Sequence, residues 1–404
     1  MRTYHHNGHP LPEKSKRRCR RGAFSVRPRR LGMEMLEDRR VLSTLFLVDN
    51  TADSGEGSLR WAIEEANGAP GADTITFDGA LSGETIVLDG VELAVSDDLS
   101  IVGLGADNLT ISGNHASGVF WIEPDATVDI SHVTIADGEE SYGAGIYNEG
   151  TLTITSSVIT NNTAEWEGGA IYNDAYYNED ATVAIIDTVI SDNFARDDGG
   201  GVWNDGSLSI TNSTFTGNST SSKGAAIANF AGGTVTIIGS TFTGNTADSQ
   251  GGAIHNYSYY SSLRGSLDIT DTTFSGNEGG TGGALWSNLP TEIRDSAFNG
   301  NSVSFAGGAV FSSSTELSIT DTVIENNSSD RYGGGISAWN GTLDIVGSTL
   351  SGNSAVEEGG AIEISGATAT ITDTTISDNS SDDLGGGIWN SGTLTITGGT
   401  LAGN

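Results

Sequence analysis

From residue 143 onward, short apolar segments alternate with runs of Ser, Thr, Asn and Gly, and the apolar positions fall into three columns. The first is Ile154, Ile185, Ile210, Ile237, Ile269, Ile293, Ile319, Ile345, Ile371 and Ile396. Period-two alternation surrounds it, as in Leu208-Ser209-Ile210, the mark of a strand with one buried face. Five residues further on stand Ile159, Ile190, Phe215, Phe242, Phe274, Phe298, Ile324, Leu350, Ile376 and Leu401. The third column follows a polar turn and a pair of small residues: Ile146, Ile171, Val202, Ile227, Ile254, Leu285, Val310, Ile336, Ile362 and Ile388. No helical periodicity competes, and the spacing of a leucine-rich repeat is absent. The pattern predicts an all-β, right-handed single-stranded parallel β-helix with three short strands per coil.

Three residues after each second-column position lies an asparagine: Asn162, Asn193, Asn218, Asn245, Asn277, Asn301, Asn327, Asn353, Asn379 and Asn404, at steps of 24 to 32 residues. Stacked in equivalent turns, these amides are expected to hydrogen-bond from coil to coil and satisfy polar groups the turn buries. Paired glycines such as Gly168-Gly169 and Gly307-Gly308 mark a bend needing positive φ or close backbone approach. They do not read as a phosphate loop, because no helix follows them.

Upstream the chain changes character. Residues 79–142 hold three or four less regular coils, at Thr85–Leu88, Leu99–Val102, Leu109–Ile111 and Val128–Ile130. With the ten regular repeats of 143–404 these make ~13–14 coils, a stack of roughly 65 Å at ~4.8 Å per coil. Residues 44–78 read as a cap module. Ser58 is its helix N-cap, and Leu59, Ala62, Ile63 and Ala66 share one face. A cap covers the edge the first coil would otherwise expose, which makes Arg60 structural rather than catalytic.

Charge separates the arm from the body. Residues 1–43 form a basic segment expected to be disordered. Residues 1–40 carry 12 of the 18 Lys and Arg against four acids, leaving the remainder at 6 basic and 48 acidic residues, net −42. An export or targeting role fits this arm better than nucleic-acid binding. No apolar run reaches transmembrane length. The body's acids form columns, one of them before the glycine bend, including Asp197, Asp198, Glu357, Glu358, Asp382 and Asp383. Carboxylates ~5 Å apart in successive coils form either a solvated face that opposes aggregation or a weak Ca²⁺-binding line, the one cofactor the sequence suggests. A second acidic column is Asp187, Asp271, Asp295, Asp321 and Asp373.

Three resemblances follow. The stretch from Arg30 to Ser43, containing Leu36-Glu37-Asp38-Arg39, resembles the amino-terminal motif of planctomycete extracellular proteins, which implies an exported bacterial chain. Ser58-Leu59-Arg60-Trp61-Ala62 is similar to the Ser-Leu-Arg-Glu-Ala domain that precedes β-helix repeats in secreted bacterial proteins, with Trp61 in place of the usual Glu. Phe215-Thr216-Gly217-Asn218 and Gly251-Gly252-Ala253-Ile254, with their equivalents, resemble the repeats of chlamydial polymorphic outer membrane proteins over about 260 residues. That family implies surface adhesins. Its carboxy-terminal barrel has no counterpart before Asn404, so its route to the membrane does not carry over, and self-association through an uncapped last coil is an expectation.

Function is less legible. The first reading is a secreted or outer-membrane-associated structural or adhesive protein whose partners are cell-surface glycans or other surface proteins. Two tyrosine-bearing insertions after the third strand supply its candidate binding residues: Tyr176 and Tyr177, and Tyr257, Tyr259 and Tyr260. The alternative is a polysaccharide lyase or glycoside hydrolase of the pectate-lyase-like class. Acids are plentiful for such chemistry, but no His cluster and no Gly-His-Gly or Arg-Ile-Lys segment identifies a catalytic residue.

Overall fold

The computed structural model describes residues 43–175, 181–230, 232–259 and 265–404. Every strand pairs in parallel with its counterpart in the next coil, giving sheets of 14, 13, 12 and 10 strands in a solenoid of about 13 coils. All three apolar columns point inward. From Ile154 to Ile371, from Ile159 to Ile376 and from Ile146 to Ile362, none of their members is more than 1 % exposed. The first three sheets carry these columns. The fourth, from Glu139–Tyr142 to Ser380–Ser381, lies in the segment the sequence presents as a polar turn. Its strands are mostly two to five residues long and show no regular alternation, so periodicity does not reveal them.

Three polar ladders hold the corners. In the asparagine ladder, each Nδ2 donates to the next Oδ1 at 2.8–3.0 Å, and each backbone N–H donates to that same oxygen at 2.9–3.1 Å. A second ladder runs Asn148, Asn173, Asn204, Asn229, Asn256, with Nδ2 to Oδ1 distances of 2.7–2.8 Å, and ends on the Ser287 hydroxyl. A third consists of buried hydroxyls, Ser157, Thr188, Ser213, Ser240, Thr272, Ser296, Thr322, Ser348 and Thr374, each accepting the backbone N–H of the equivalent residue one coil earlier. The solenoid thus satisfies its buried polar groups by repetition.

The second acidic column has a local explanation. Asp187, Asp271, Asp295, Asp321 and Asp373 all sit at φ between 49° and 52°, where Asn212, Gly239 and Gly347 stand in other coils. Asp tolerates this left-handed position better than most residues, so the column is turn chemistry. The paired glycines divide their work. Gly168 has φ 68°, whereas a Cβ on Gly169 would fall 2.2 Å from the Gly200 carbonyl oxygen of the next coil.

The single α-helix, Leu59–Gly68, packs on the first coils and buries Leu59, Ala62, Ile63 and Ala66. The Ser58 hydroxyl accepts the Trp61 N–H at 3.2 Å. Arg60 is paired with Asp53 at 2.7 Å and donates to the Glu92 and Val91 carbonyl oxygens at 2.8 and 2.6 Å. Its role in this geometry is to pin the helix.

Candidate functional site

The third sheet, whose inward face carries Ile146 to Ile362, has an aromatic outer face. One residue beyond each inward position, the register aligns Ala94, Trp121, Tyr147, Tyr172, Trp203, Ala228, His255, Trp286, Phe311, Ser337, Glu363 and Trp389. Two residues further on, Phe230 pairs with Tyr257. Ring contacts link the two columns. Tyr147 stacks on Tyr172 at 5.2 Å, Tyr172 on Trp203 at 4.3 Å and Trp203 on Phe230 at 5.8 Å. His255 lies 4.8 Å from Trp286, and Trp286 6.1 Å from Phe311.

Across the glycine bend, the fourth sheet presents a polar column beside these rings. Tyr142 aligns with Glu167, and Asp198 leads through Lys223 and Gln250 to Thr281. Lys223 Nζ lies 5.7 Å from the Tyr257 ring. Burial, reinforced by Asp198 and then Asp197, pushes the Glu167 carboxyl up to about 7. Burial also raises Asp198, against the opposing pull of Ser222 and Lys223, and lifts Asp205 to about 6. His255, fully buried and near Lys223, is held well below the usual imidazole range, and its Nε2 has no hydrogen-bond partner. At the other end Glu363 accepts from Ser337 and, at 2.8 Å, from Trp339 Nε1.

These raised carboxyls give stability a direction with pH. The folded chain binds protons at Glu167 and Asp205 more tightly than the unfolded chain does, so their cost is absent below about pH 4 and complete above about pH 7. The denaturation midpoint is expected to fall between pH 5 and pH 8. Glu167 should account for about 1–2 kcal/mol of that fall once solvent screening is allowed for. In Glu167→Gln the slope should be correspondingly shallower; an unchanged slope would refute the assignment.

Where rings stack face to face along the solenoid, as at Tyr172 and Trp203, their faces are already occupied, and only their edges remain for a ligand. At the amino-terminal end of the column the arrangement opens. Trp121, Tyr142 and Tyr147 line a pocket of about 460 Å³ together with Glu92, Glu140, Ser141 and Glu149. Trp121 Nε1 donates to Glu149 at 3.0 Å, and the Tyr147 hydroxyl donates to Asp174 at 2.7 Å. Those bonds fix the rings at their polar ends. Burial, and next the charge of Glu140, raises Glu92.

The sequence-derived candidates divide. Tyr257 and Tyr259 meet edge to face at 4.3 Å, and Tyr259 also contacts Phe230 at 5.6 Å, so both join the aromatic face. Tyr176, Tyr177 and Tyr260 lie outside the described residues. Of the acids proposed for calcium, Glu357 is paired with Arg331 at 2.8 Å, Glu358 is raised by burial and then by Glu357 and Asp383, and Asp198 lies beside Lys223. Asp197 neighbours Glu167, and Asp382 and Asp383 follow the short strand Ser380–Ser381. Among the described residues no three His, Cys, Asp or Glu side chains form a group that could hold a metal ion. The asparagine ladder is structural throughout. Sequence reasoning missed the aromatic column, although Ile146-Tyr147-Asn148, Ile171-Tyr172-Asn173 and Val202-Trp203-Asn204 carry its signal.

The solenoid is of the right-handed β-helix class. A family model described as a right handed beta helix region matches residues 201–366, and one for the Chlamydia polymorphic membrane protein repeat matches residues 156–174. No curated protein sequence matches the chain. Among solved structures, a mannuronic acid specific family 6 polysaccharide lyase from human gut microbiota is 9 % identical, with 89 % of this chain and 87 % of that one covered and a TM-score of 0.47. The catalytic unit of a GH87 α-1,3-glucanase from Streptomyces thermodiastaticus is 16 % identical over 88 % and 67 %, TM-score 0.42. The A-module of the Azotobacter vinelandii mannuronan C-5 epimerase AlgE4 is 12 % identical over 89 % and 96 %, TM-score 0.39. These likenesses are too loose to bear on the site. Among the described residues no helix is long and apolar enough to cross a membrane.

Proposed function

We propose that this chain is a glycan-binding β-solenoid of the cell surface or extracellular matrix, adhesive or structural in role, which takes a sugar chain at the Trp121 pocket. The observation that carries this reading is the pocket itself: aromatic faces set among carboxylates in a volume of about 460 Å³, at the open end of a rigid aromatic column. Aromatic rings with fixed polar partners suit the apolar face and hydroxyl rim of a pyranose. The coil repeat of ~4.8 Å is close to the length of one sugar unit, so an extended glycan lying along the column meets similar edges at each step. The polymorphic membrane protein repeat supports a surface location.

In a glycan array followed by calorimetry, Trp121→Ala is expected to weaken oligosaccharide binding by about tenfold or more, a loss of ~1.4 kcal/mol, without lowering the thermal midpoint of the solenoid. Equal binding by both proteins would refute the reading. A second reading, as a polysaccharide-cleaving enzyme, has one observation in its favour: a carboxyl raised to about 7 beside Asp198 is suited to general acid chemistry. Incubating the same oligosaccharides with the native chain separates the two. Turnover that disappears in Glu167→Gln favours the enzyme, and intact oligosaccharides favour the binding role.

A further inference from the structure

We propose that the Trp121 pocket recognises a glycan unit bearing a free, protonated amine, an inference that rests on the glycan-binding reading above. Three of its seven lining residues are glutamates and none is basic. They arrive from separate parts of the chain. Glu92 precedes the strand Leu93–Val95, Glu140 lies on Glu139–Tyr142, and Glu149 follows Ile146–Asn148. Glu92 and Glu140 close on the same point: a Cβ placed on Gly118 would lie 3.3 Å from Glu92 Oε2 and 3.6 Å from Glu140 Cβ. Arg60 reaches only the Glu92 carbonyl oxygen, and its charge is paired with Asp53.

Such a pocket discriminates by charge. A uronate would add a fourth negative group to a site without a cation of its own, in a body of net charge −42. A neutral sugar would leave the glutamates as they are. An ammonium group would offset them, donate hydrogen bonds to their oxygens and lie against the faces of Trp121, Tyr142 and Tyr147, which attract cations. The upward shift of Glu92 agrees, since it reflects burial together with a like charge that an amine would offset. Carboxylates make the amine the preferred group, and the rings make the pocket more than a solvated acidic face.

The test is calorimetry on the full chain at pH 6, with oligomers of glucosamine, N-acetylglucosamine and mannuronate of equal length. The glucosamine oligomer is expected to bind at least about tenfold more tightly than its N-acetylated form, and the mannuronate oligomer not measurably. Glu92→Gln/Glu140→Gln should abolish that preference while leaving affinity for the N-acetylated oligomer unchanged. If the double variant does not fold, the exposed Glu140→Gln alone should reduce it. Glu64→Gln/Glu65→Gln, exposed on the helix, should keep the full preference and so distinguish the pocket from general attraction to an acidic protein. Equal affinities in the native chain, a preference that survives in the pocket variants, or one lost in the helix variant would overturn the inference. Binding of the N-acetylated oligomer that depends on Trp121 but shows no amine advantage would sink this inference alone. No binding of any oligomer would sink the glycan reading as well.

Discussion

Replacing Asn245 by leucine is expected to cost about 4 kcal/mol, a large share of the stability of an ordinary domain. The side chain is fully buried. Its Nδ2 donates to the Phe215 carbonyl oxygen at 3.0 Å and to Asn277 Oδ1 at 2.9 Å. Its Oδ1 accepts from the Asn218 backbone N–H at 3.1 Å and from Asn218 Nδ2 at 3.0 Å. Leucine keeps the volume, so cavity formation is not the issue. What remains are buried donors and an acceptor with no partner and no access to water, at ~1–3 kcal/mol each, partly relieved by local relaxation. Because each coil touches only its neighbours, hydrogen exchange should quicken first in the coils around Asn218 and Asn277. Asn326→Gly provides the contrast. Asn326 is an exposed asparagine at φ 55°, and its replacement should change the denaturation midpoint little, because glycine accepts that conformation readily. Equal losses from both substitutions would refute the ladder account.

Phe242→Ala should cost a comparable 3–5 kcal/mol for a different reason. Phe215, Phe242, Phe274 and Phe298 form a stack inside the solenoid, with centroids 4.8, 4.8 and 4.7 Å apart and ring planes within 13°. Alanine at the second position leaves a void between two rings that the coil register holds at a fixed separation, so collapse to fill it is limited. Phe242→Ile is the informative partner. Ile190 and Ile324 fill the same column in other coils without exposure. The isoleucine variant should therefore lose less than about 2 kcal/mol, mostly ring–ring attraction and a smaller volume. Urea denaturation of the three proteins measures both numbers. A loss for isoleucine as large as that for alanine would mean that the stack, rather than space filling, dominates.

Both predictions concern columns that the amino-acid sequence displays directly. Repetition explains why. When one short pattern recurs ten times, the alignment itself states which residues are neighbours, and the parallel register needs no further information. The inward isoleucines, the Phe242 column, the asparagine ladder, the paired glycines and the capping helix are all legible in this way. The candidate site is much less so. Asp187, Asp271, Asp295, Asp321 and Asp373 resemble a line of charge, yet they occupy left-handed turn positions that glycine or asparagine fills elsewhere. Glu92 belongs to an irregular coil, where no repeat alignment places it beside Glu140. The tyrosines of the insertions stand out because they break the pattern, while Trp121, Tyr147, Tyr172 and Trp203 keep it and so do not.

What the sequence determined by itself is therefore the solenoid: its period, its inward columns, its main ladder and its charge. Those properties are local or repeat-to-repeat, and burial of one face of each short strand enforces them. Only the tertiary structure decided where the outer faces meet. The glycine bend sets the fourth sheet beside the third, so that the column of Glu167, Asp198 and Lys223 borders the aromatic one, and Trp121, Tyr142 and Tyr147 close around three glutamates. Outward side chains carry no burial signal in the pattern. Their company depends on the angle at which one strand leaves a bend, and that angle is a property of the folded coil rather than of the repeat.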